Sequence, residues 1–158
     1  MDSLESILQE HPFVKNLSSE HIQLIVGCAK NVVFKVGQYL FKEDEEANEF
    51  YILRSGKVAL EIYTPEYGSI TIQTVGEGEV LGWSWLIPPY EWRFDGRAVE
   101  LTRAIALDGK CLRGKCEQDP KLGYELMKRL ASVFEGRLYA MRLQLLDIYN
   151  SKAQKQTK

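Results

Sequence analysis

The residues of this chain best suited to binding chemistry gather in one stretch, Gly76 to Ala98, which reads GEGEVLGWSWLIPPYEWRFDGRA. It holds all three tryptophans, a Pro-Pro pair, two arginines and glycine at four places, a mixture that a plain sheet strand avoids. Gly78 and Gly82 let the backbone bend sharply or approach another group closely. Gly82, Trp83, Ser84 and Trp85, followed by Arg93, Arg97 and Ala98, suit capture of a small anion by backbone N–H groups and a guanidinium. Trp83 and Trp85 sit two apart and share a face on an extended strand. Pro88-Pro89 forces a stiff excursion, and apolar–polar alternation resumes from Trp92 to Val99. The structural alternative is a hydrophobic plug with a tight connection.

Other chemistry is harder to assemble. The two histidines, His11 and His21, both lie near the N-terminus. A jelly-roll enzyme that holds its metal with strand histidines is therefore excluded. No Ser/His/Asp or Cys/His arrangement emerges, nor a phosphate loop followed by a helix. With no acid–base pair or activated nucleophile, the chain reads as a non-enzyme that needs no metal or cofactor. Three cysteines cannot all pair internally, which fits reduced thiols. The Cys111–Cys116 spacing hints faintly at metal or redox chemistry, but a four-ligand zinc set is not apparent. Ordinary buried or half-buried thiols are the better reading.

The elements that must position the Gly76–Ala98 stretch follow from composition and period. The 158 residues, 45% hydrophobic, suffice for one core and one domain. A net charge of −2 and a pI near 5.8 exert no general pull on nucleic acid. The acidic, amphipathic start MDSLESILQE is unlike a secretory signal, and no segment reaches transmembrane length. The expected location is cytoplasmic, with no membrane partner.

Residues 3 to 10 form a short amphipathic helix ended by His11-Pro12. Ser18 or Ser19 caps a second helix with apolar positions Ile22, Ile25 and Val26. From Asn31 the period becomes two. Strands are expected at Val32–Val36, Tyr39–Phe41, Phe50–Leu53, Lys57–Tyr63, Ile70–Val75 and Leu101–Leu107, with more around the central stretch. In the Lys57–Tyr63 segment, Val58, Leu60 and Ile62 alternate with Lys57, Ala59 and Glu61, a half-buried pattern. Roughly eight short strands at this spacing indicate an all-β sandwich or barrel. The charge run KEDEEANE is solvated loop.

After Gly109 the composition turns helical. Asp119-Pro120 is a helix start, an N-cap Asp with Pro at the first helical position. Leu122, Leu126, Met127 and Leu130 form one apolar stripe. Phe134, Leu138, Met141, Leu145 and Ile148 form a second, spaced close to a coiled-coil seam. A helix this apolar needs two covering surfaces, its own barrel and a partner helix, so a two-fold homodimer through residues 134–149 is expected. A helix wholly buried on the barrel is the alternative. The tail SKAQKQTK is polar and frayed.

An N-terminal helical lead, a β-roll with glycine turns, a Gly-Glu-containing cassette and a long closing helix together resemble the cyclic-nucleotide-binding domain of catabolite-activator-type regulators. The matching stretches are VGQYLFKEDEEANEFYILRSGKVAL, GEGEVLGWSWL and the terminal helices from Asp119, nearly the whole chain. The turns at Gly37 and Ser55-Gly56 are their specific part. The resemblance implies a mainly β, α+β fold: a double-stranded β-helix or jelly-roll with N-terminal helices and a long C-terminal dimerisation helix. Residues 1–158 then form one domain, with a helical lead (1–30), a roll (31–108), terminal helices (119–150) and a polar tail (151–158). In that family the terminal helix leads into a helix-turn-helix reader. Here the chain stops about where the reader would begin, so direct DNA binding is not expected.

The cassette departs from the family pattern. The family places Glu after the cassette glycine to bind the ribose hydroxyl; this chain has Trp83. The family's phosphate-binding Arg falls on Arg93 when counted from Trp83. Counted back from Thr102 it falls on Phe94, beside Asp95; Arg97-Ala98 resembles the Arg-small pair but lies a few residues late. Losing a charged hydrogen-bond partner costs about 1.5–3 kcal/mol, roughly tenfold to a hundredfold in affinity. Stacking of Trp83 on a purine returns about 1–3 kcal/mol. Weak or no binding of cyclic AMP is expected. Two readings stand: a dimeric regulatory sensor for a cyclic nucleotide or related small anionic ligand, or a degenerate, non-binding module that engages a protein partner. The first expects the terminal helices to shift on ligand binding, about a hinge between Gly109 and Asp119.

Overall fold

The computed structural model describes residues 3–156. The chain divides into two units, one ending at Gly123 and one running from Tyr124. In the first, α1 (Leu4–Glu10) and α2 (Ser19–Val26) precede eight strands: β1 (Ala29–Phe34), β2 (Tyr39–Phe41), β3 (Glu49–Ser55), β4 (Lys57–Thr64), β5 (Gly68–Gly76), β6 (Val80–Leu81), β7 (Asp95–Ala98) and β8 (Thr102–Asp108). A 3-10 turn, Trp83–Trp85, interrupts the strands, and α3 (Gly109–Gln118) follows them. α4 (Pro120–Gln156) closes the chain.

The caps are local chemistry. Ser18 Oγ accepts the His21 N–H at the start of α2, and Asp108 accepts the Cys111 N–H at the start of α3. The Asp119 carboxylate accepts from the Lys121 and Leu122 N–H groups ahead of α4. That bond to Leu122, with smaller help from His21, holds the Asp119 carboxyl below its usual range.

The strands form two four-stranded antiparallel sheets, ordered β1-β8-β3-β6 and β2-β7-β4-β5. Their inner faces share one core, with Tyr51, Leu53, Leu81, Ala104 and Ala106 from the first sheet and Phe41, Val58, Leu60 and Val75 from the second. This is the jelly-roll expected from the sequence. The opposite face of β3 and β8 is also covered: Phe50, Ile52, Ile105 and Leu107 are buried. Phe13 meets Phe50 edge-on at 5.3 Å, and the buried His11 bonds Leu53 O through Nε2 at 3.1 Å. Burial on both faces explains the unbroken apolar run Phe50–Leu53.

Several expectations change. β1 begins at Ala29, inside the segment assigned to the helical lead. β4 is not half-buried: Val58, Ala59, Leu60 and Glu61 are all buried, because Arg97 from β7 covers Glu61. The span from Gly109 to Gln118 is the helix α3, with Asp119 standing between it and α4. The tail is helical through Gln156; its last two residues, like Met1 and Asp2, lie outside the described part.

The expectation of unpaired thiols also fails, since Cys28 and Cys111 form a disulfide and only Cys116 is free. The β1–β8 register explains it. Ala29 lies opposite Leu107, so Cys28 meets Asp108, whose N–H donates to Cys28 O at 2.9 Å. The first turn of α3 then brings Cys111 over, with 5.7 Å between the two Cα atoms. An odd cysteine count says nothing about such a register.

In the second unit α4 is one continuous helix. Leu126 and Leu130 are buried, whereas Leu138, Met141, Leu145 and Ile148 are exposed. Among the described residues no helix is long and apolar enough to cross a membrane.

Candidate functional site

The Gly76–Ala98 stretch is a turn-rich connection between the two sheets. β6 runs alongside β3, with Leu81 opposite Tyr51. Gly82 then takes φ 90° and ψ 72°, and Trp83–Trp85 wind into a single 3-10 turn closed by Leu86 N–H on Trp83 O. Gly82 is required for two reasons. A side chain there would be left-handed, and its Cβ would lie 2.4 Å from Trp92 Cη2. The return leg is anchored to the 44–47 loop: Asp44 N–H bonds Trp92 O, Trp92 N–H bonds Glu45 O, and Ala47 N–H bonds Tyr90 O.

Because the segment is a turn and not a strand, Trp83 and Trp85 do not share a face: Trp83 packs against the same core as Trp92, and Trp85 goes to the other side of the first sheet. Trp92 is buried in the roll interior and lies flat on Phe41, ring centroids 3.7 Å apart. Trp83 is half-buried and meets Phe94 edge-on at 5.6 Å. Trp85 is fully buried on the other side of the first sheet, 5.7 Å from the Phe50 ring and close against Gly109. Ser84 is buried between these two tryptophans in the turn.

Neither arginine faces the interior. Arg93 is exposed, between the inward-buried Trp92 and Phe94. In β7, Gly96 abuts the Phe41 ring and Ala98 is buried opposite Val58. Arg97, between them, points to the outer face by strand alternation. There its Nε donates to Glu61 Oε1 at 2.7 Å and its second nitrogen to Oε2 at 3.2 Å. The Glu61 side chain is 7% exposed and that of Arg97 34%. Gly82 and Trp92 are thus brought together, while Arg93 and Arg97 are directed away from them.

Two partnerships escaped sequence reasoning. Glu61 looked like the solvent side of an alternating strand. Arg113 of α3 lies over the Tyr90 ring, 4.1 Å from its centroid, and donates to Trp85 O, so α3 is pinned to the cassette loop. Nothing in the segment LRGK signals either contact. On the inner face of β3, Tyr51 donates to Glu49 at 2.6 Å, and Lys30 pairs with Glu49 at 2.7 Å. Burial first, and Glu49 second, push the Tyr51 hydroxyl far above its usual range, so it remains a donor. Among the described residues no group of three or more His, Cys, Asp or Glu side chains is placed to hold a metal.

A solved structure from Geobacter metallireducens GS-15, described as cyclic nucleotide-binding, superposes with a TM-score of 0.77 at 28% identity, covering 87% of this chain and 99% of that one. The catabolite activator protein of Thermus thermophilus gives 0.66 at 25% identity, over 86% of this chain and 63% of its own. Human cGMP-dependent protein kinase 2 is 29% identical over 87 residues, 54% of this chain but only 11% of the kinase. A model of the cyclic nucleotide-binding domain matches residues 31–119, from β1 through the cassette to the end of α3. With the two sheets, the glycine-cornered cassette and these likenesses in agreement, the chain belongs to the cyclic nucleotide-binding domain family.

Proposed function

We propose that this chain is a regulatory module of that family whose roll interior is closed to cyclic nucleotides and whose output is a protein contact. One observation carries the reading: Trp92, stacked on Phe41, occupies the space beside Gly82. A cyclic phosphate there would meet indole carbon where it needs a cation, and burying an unpaired charge is costly. The exposed row Leu138, Met141, Leu145 and Ile148 supports pairing of two copies through α4, in the manner of a heptad seam. The assembled dimer then engages a protein partner in the cytoplasm.

The match to a cGMP-dependent kinase over 87 residues, with the family model spanning the cassette, supports a second reading, a sensor in which Trp92 swings out to admit cyclic GMP or a related small anion. Titration calorimetry with cyclic AMP and cyclic GMP separates the two. No heat at millimolar nucleotide is expected. Saturable binding of either one, with quenching of indole fluorescence, overturns the first reading in favour of the second.

A further inference from the structure

The α3 helix is held on two sides. Near its start, Cys111 is bonded to Cys28, the last residue before β1. Just past its end, Asp119 accepts from His21 of α2 at 3.1 Å. From its middle, Arg113 reaches Trp85 O and the Tyr90 ring in the cassette loop. The disulfide is the one covalent link among these contacts, and it joins segments 83 residues apart in sequence. Its two ends differ in access: Cys28 is buried, at 7% exposure, while Cys111 is partly exposed.

We propose that the Cys28–Cys111 bond is a reversible thiol–disulfide site, opened by a dithiol reductant, whose state sets how firmly α3 holds the cassette loop. A reductant thiolate attacks Cys111 Sγ, the accessible end, the S–S bond breaks, and Cys28 leaves as a thiolate that takes up a proton. The reductant's second thiol then attacks the mixed disulfide and releases Cys111, which is protonated in turn. Two electrons pass to the protein, and the reductant departs as its own disulfide. Cys116 does not scramble the exchange. It lies five residues along α3 from Cys111, on a different face at about 100° per residue. Burial raises its thiol pKa, so it stays protonated.

With the bond open, no covalent link holds the start of α3; the Asp108 N–H to Cys28 O and Gly109 N–H to Asn48 O bonds, the Asp108 cap on the Cys111 N–H and the burial of Leu112 remain. The helix that carries Arg113 then loosens, and with it the loop from Trp83 to Trp92. The β4–β5 hairpin shares none of these contacts and stays as it was. The inference rests on neither reading of the roll interior.

The test uses the purified full chain, oxidised in air. Incubation without denaturant in the absence or presence of dithiothreitol, then acid quenching, removal of the reductant and alkylation in denaturant, read by intact mass, should label one cysteine without dithiothreitol and three with it. Hydrogen exchange on the two states should then be about tenfold faster after reduction in peptides covering 83–92 and 109–118, with 57–76 unchanged. Cys111→Ser should show the fast pattern with or without reductant, and Cys116→Ser should behave as the wild type. If Cys111→Ser does not fold, reduced wild type supplies the same comparison. The proposal is overturned by a bond that resists dithiothreitol in the native state. It is equally overturned by exchange that rises in all segments alike, or in none, on reduction, since either marks a permanent staple.

Discussion

Trp92 lies flat on Phe41 across the roll interior, centroids 3.7 Å apart and ring planes 8° from parallel. The two residues come from different segments, β2 and the cassette's return leg, and each depends on a glycine. Gly82 leaves room for the far edge of the Trp92 indole, and Gly96 leaves room for the Phe41 ring, whose Cζ would sit 2.5 Å from a Cβ at that position. The interior is therefore packed as a core, at a density where small additions are felt.

Gly82→Ala tests that packing. The new methyl group must displace an indole held by its stack on Phe41, and alanine must adopt φ near 90°. The left-handed backbone and the overpacking together should cost about 2–4 kcal/mol. Urea denaturation measures this directly; a loss below about 0.5 kcal/mol means the indole moves aside freely.

The Arg97–Glu61 pair is structural on this geometry. Arg97→Ala strands a carboxylate that is 7% exposed and should destabilise by about 1–3 kcal/mol. Replacing both, Glu61→Leu with Arg97→Leu, should recover most of the loss, because no buried charge is left unpaired. A double variant no better than Arg97→Ala contradicts the account. Any nucleotide affinity that calorimetry detects should survive Arg97→Ala, since Arg97 faces away from Trp92.

His11 should make stability fall on mild acidification. Its Nε2–H donates to Leu53 O and its Nδ1 accepts from the Phe13 N–H, a pattern open only to the neutral ring. Burial lowers its pKa below the ordinary 6.5, partly offset by the bond to Leu53. The folded value is the depressed one, so the unfolded chain binds the proton more readily. The contribution is complete above pH 6.5 and declines as pH falls below it. Urea midpoints from about pH 7.5 down to about pH 5.5 should drop, and His11→Gln should flatten that drop. A wild-type midpoint that is level across this range counts against the assignment.

The seam on α4 gives an oligomer prediction. Met141→Glu or Leu145→Glu places a charge in the proposed helix–helix contact and should give monomers by light scattering with the melting temperature of the roll little changed. A wild type that is monomeric at every concentration removes the seam as a homodimer interface.

Much of the framework was legible along the chain because its causes are local. The 19–26 helix follows from Ser18 and the Ile22/Ile25 spacing, and α4 starts where Asp119-Pro120 says it must. Six of the eight strands were placed along the chain to within two or three residues, while β6 and β7 were expected around the central stretch without bounds. β3 was legible as an apolar run, although only the helical layer explains why both its faces are apolar.

The candidate site was not legible in the same way. Chain order showed that tryptophans, glycines and arginines crowd residues 76–98, but not which side of a sheet each would face. That depends on register between distant segments, and a shift of one residue sends a side chain to the opposite face. The β7–β4 register turned Arg97 out to Glu61, 36 positions away, and the β1–β8 register set Cys28 beside Cys111, 83 positions away. The sequence by itself determined the elements, because turns, caps and periods act over a few residues. Only the tertiary structure decided what lines the roll interior, because that follows from which strands lie side by side.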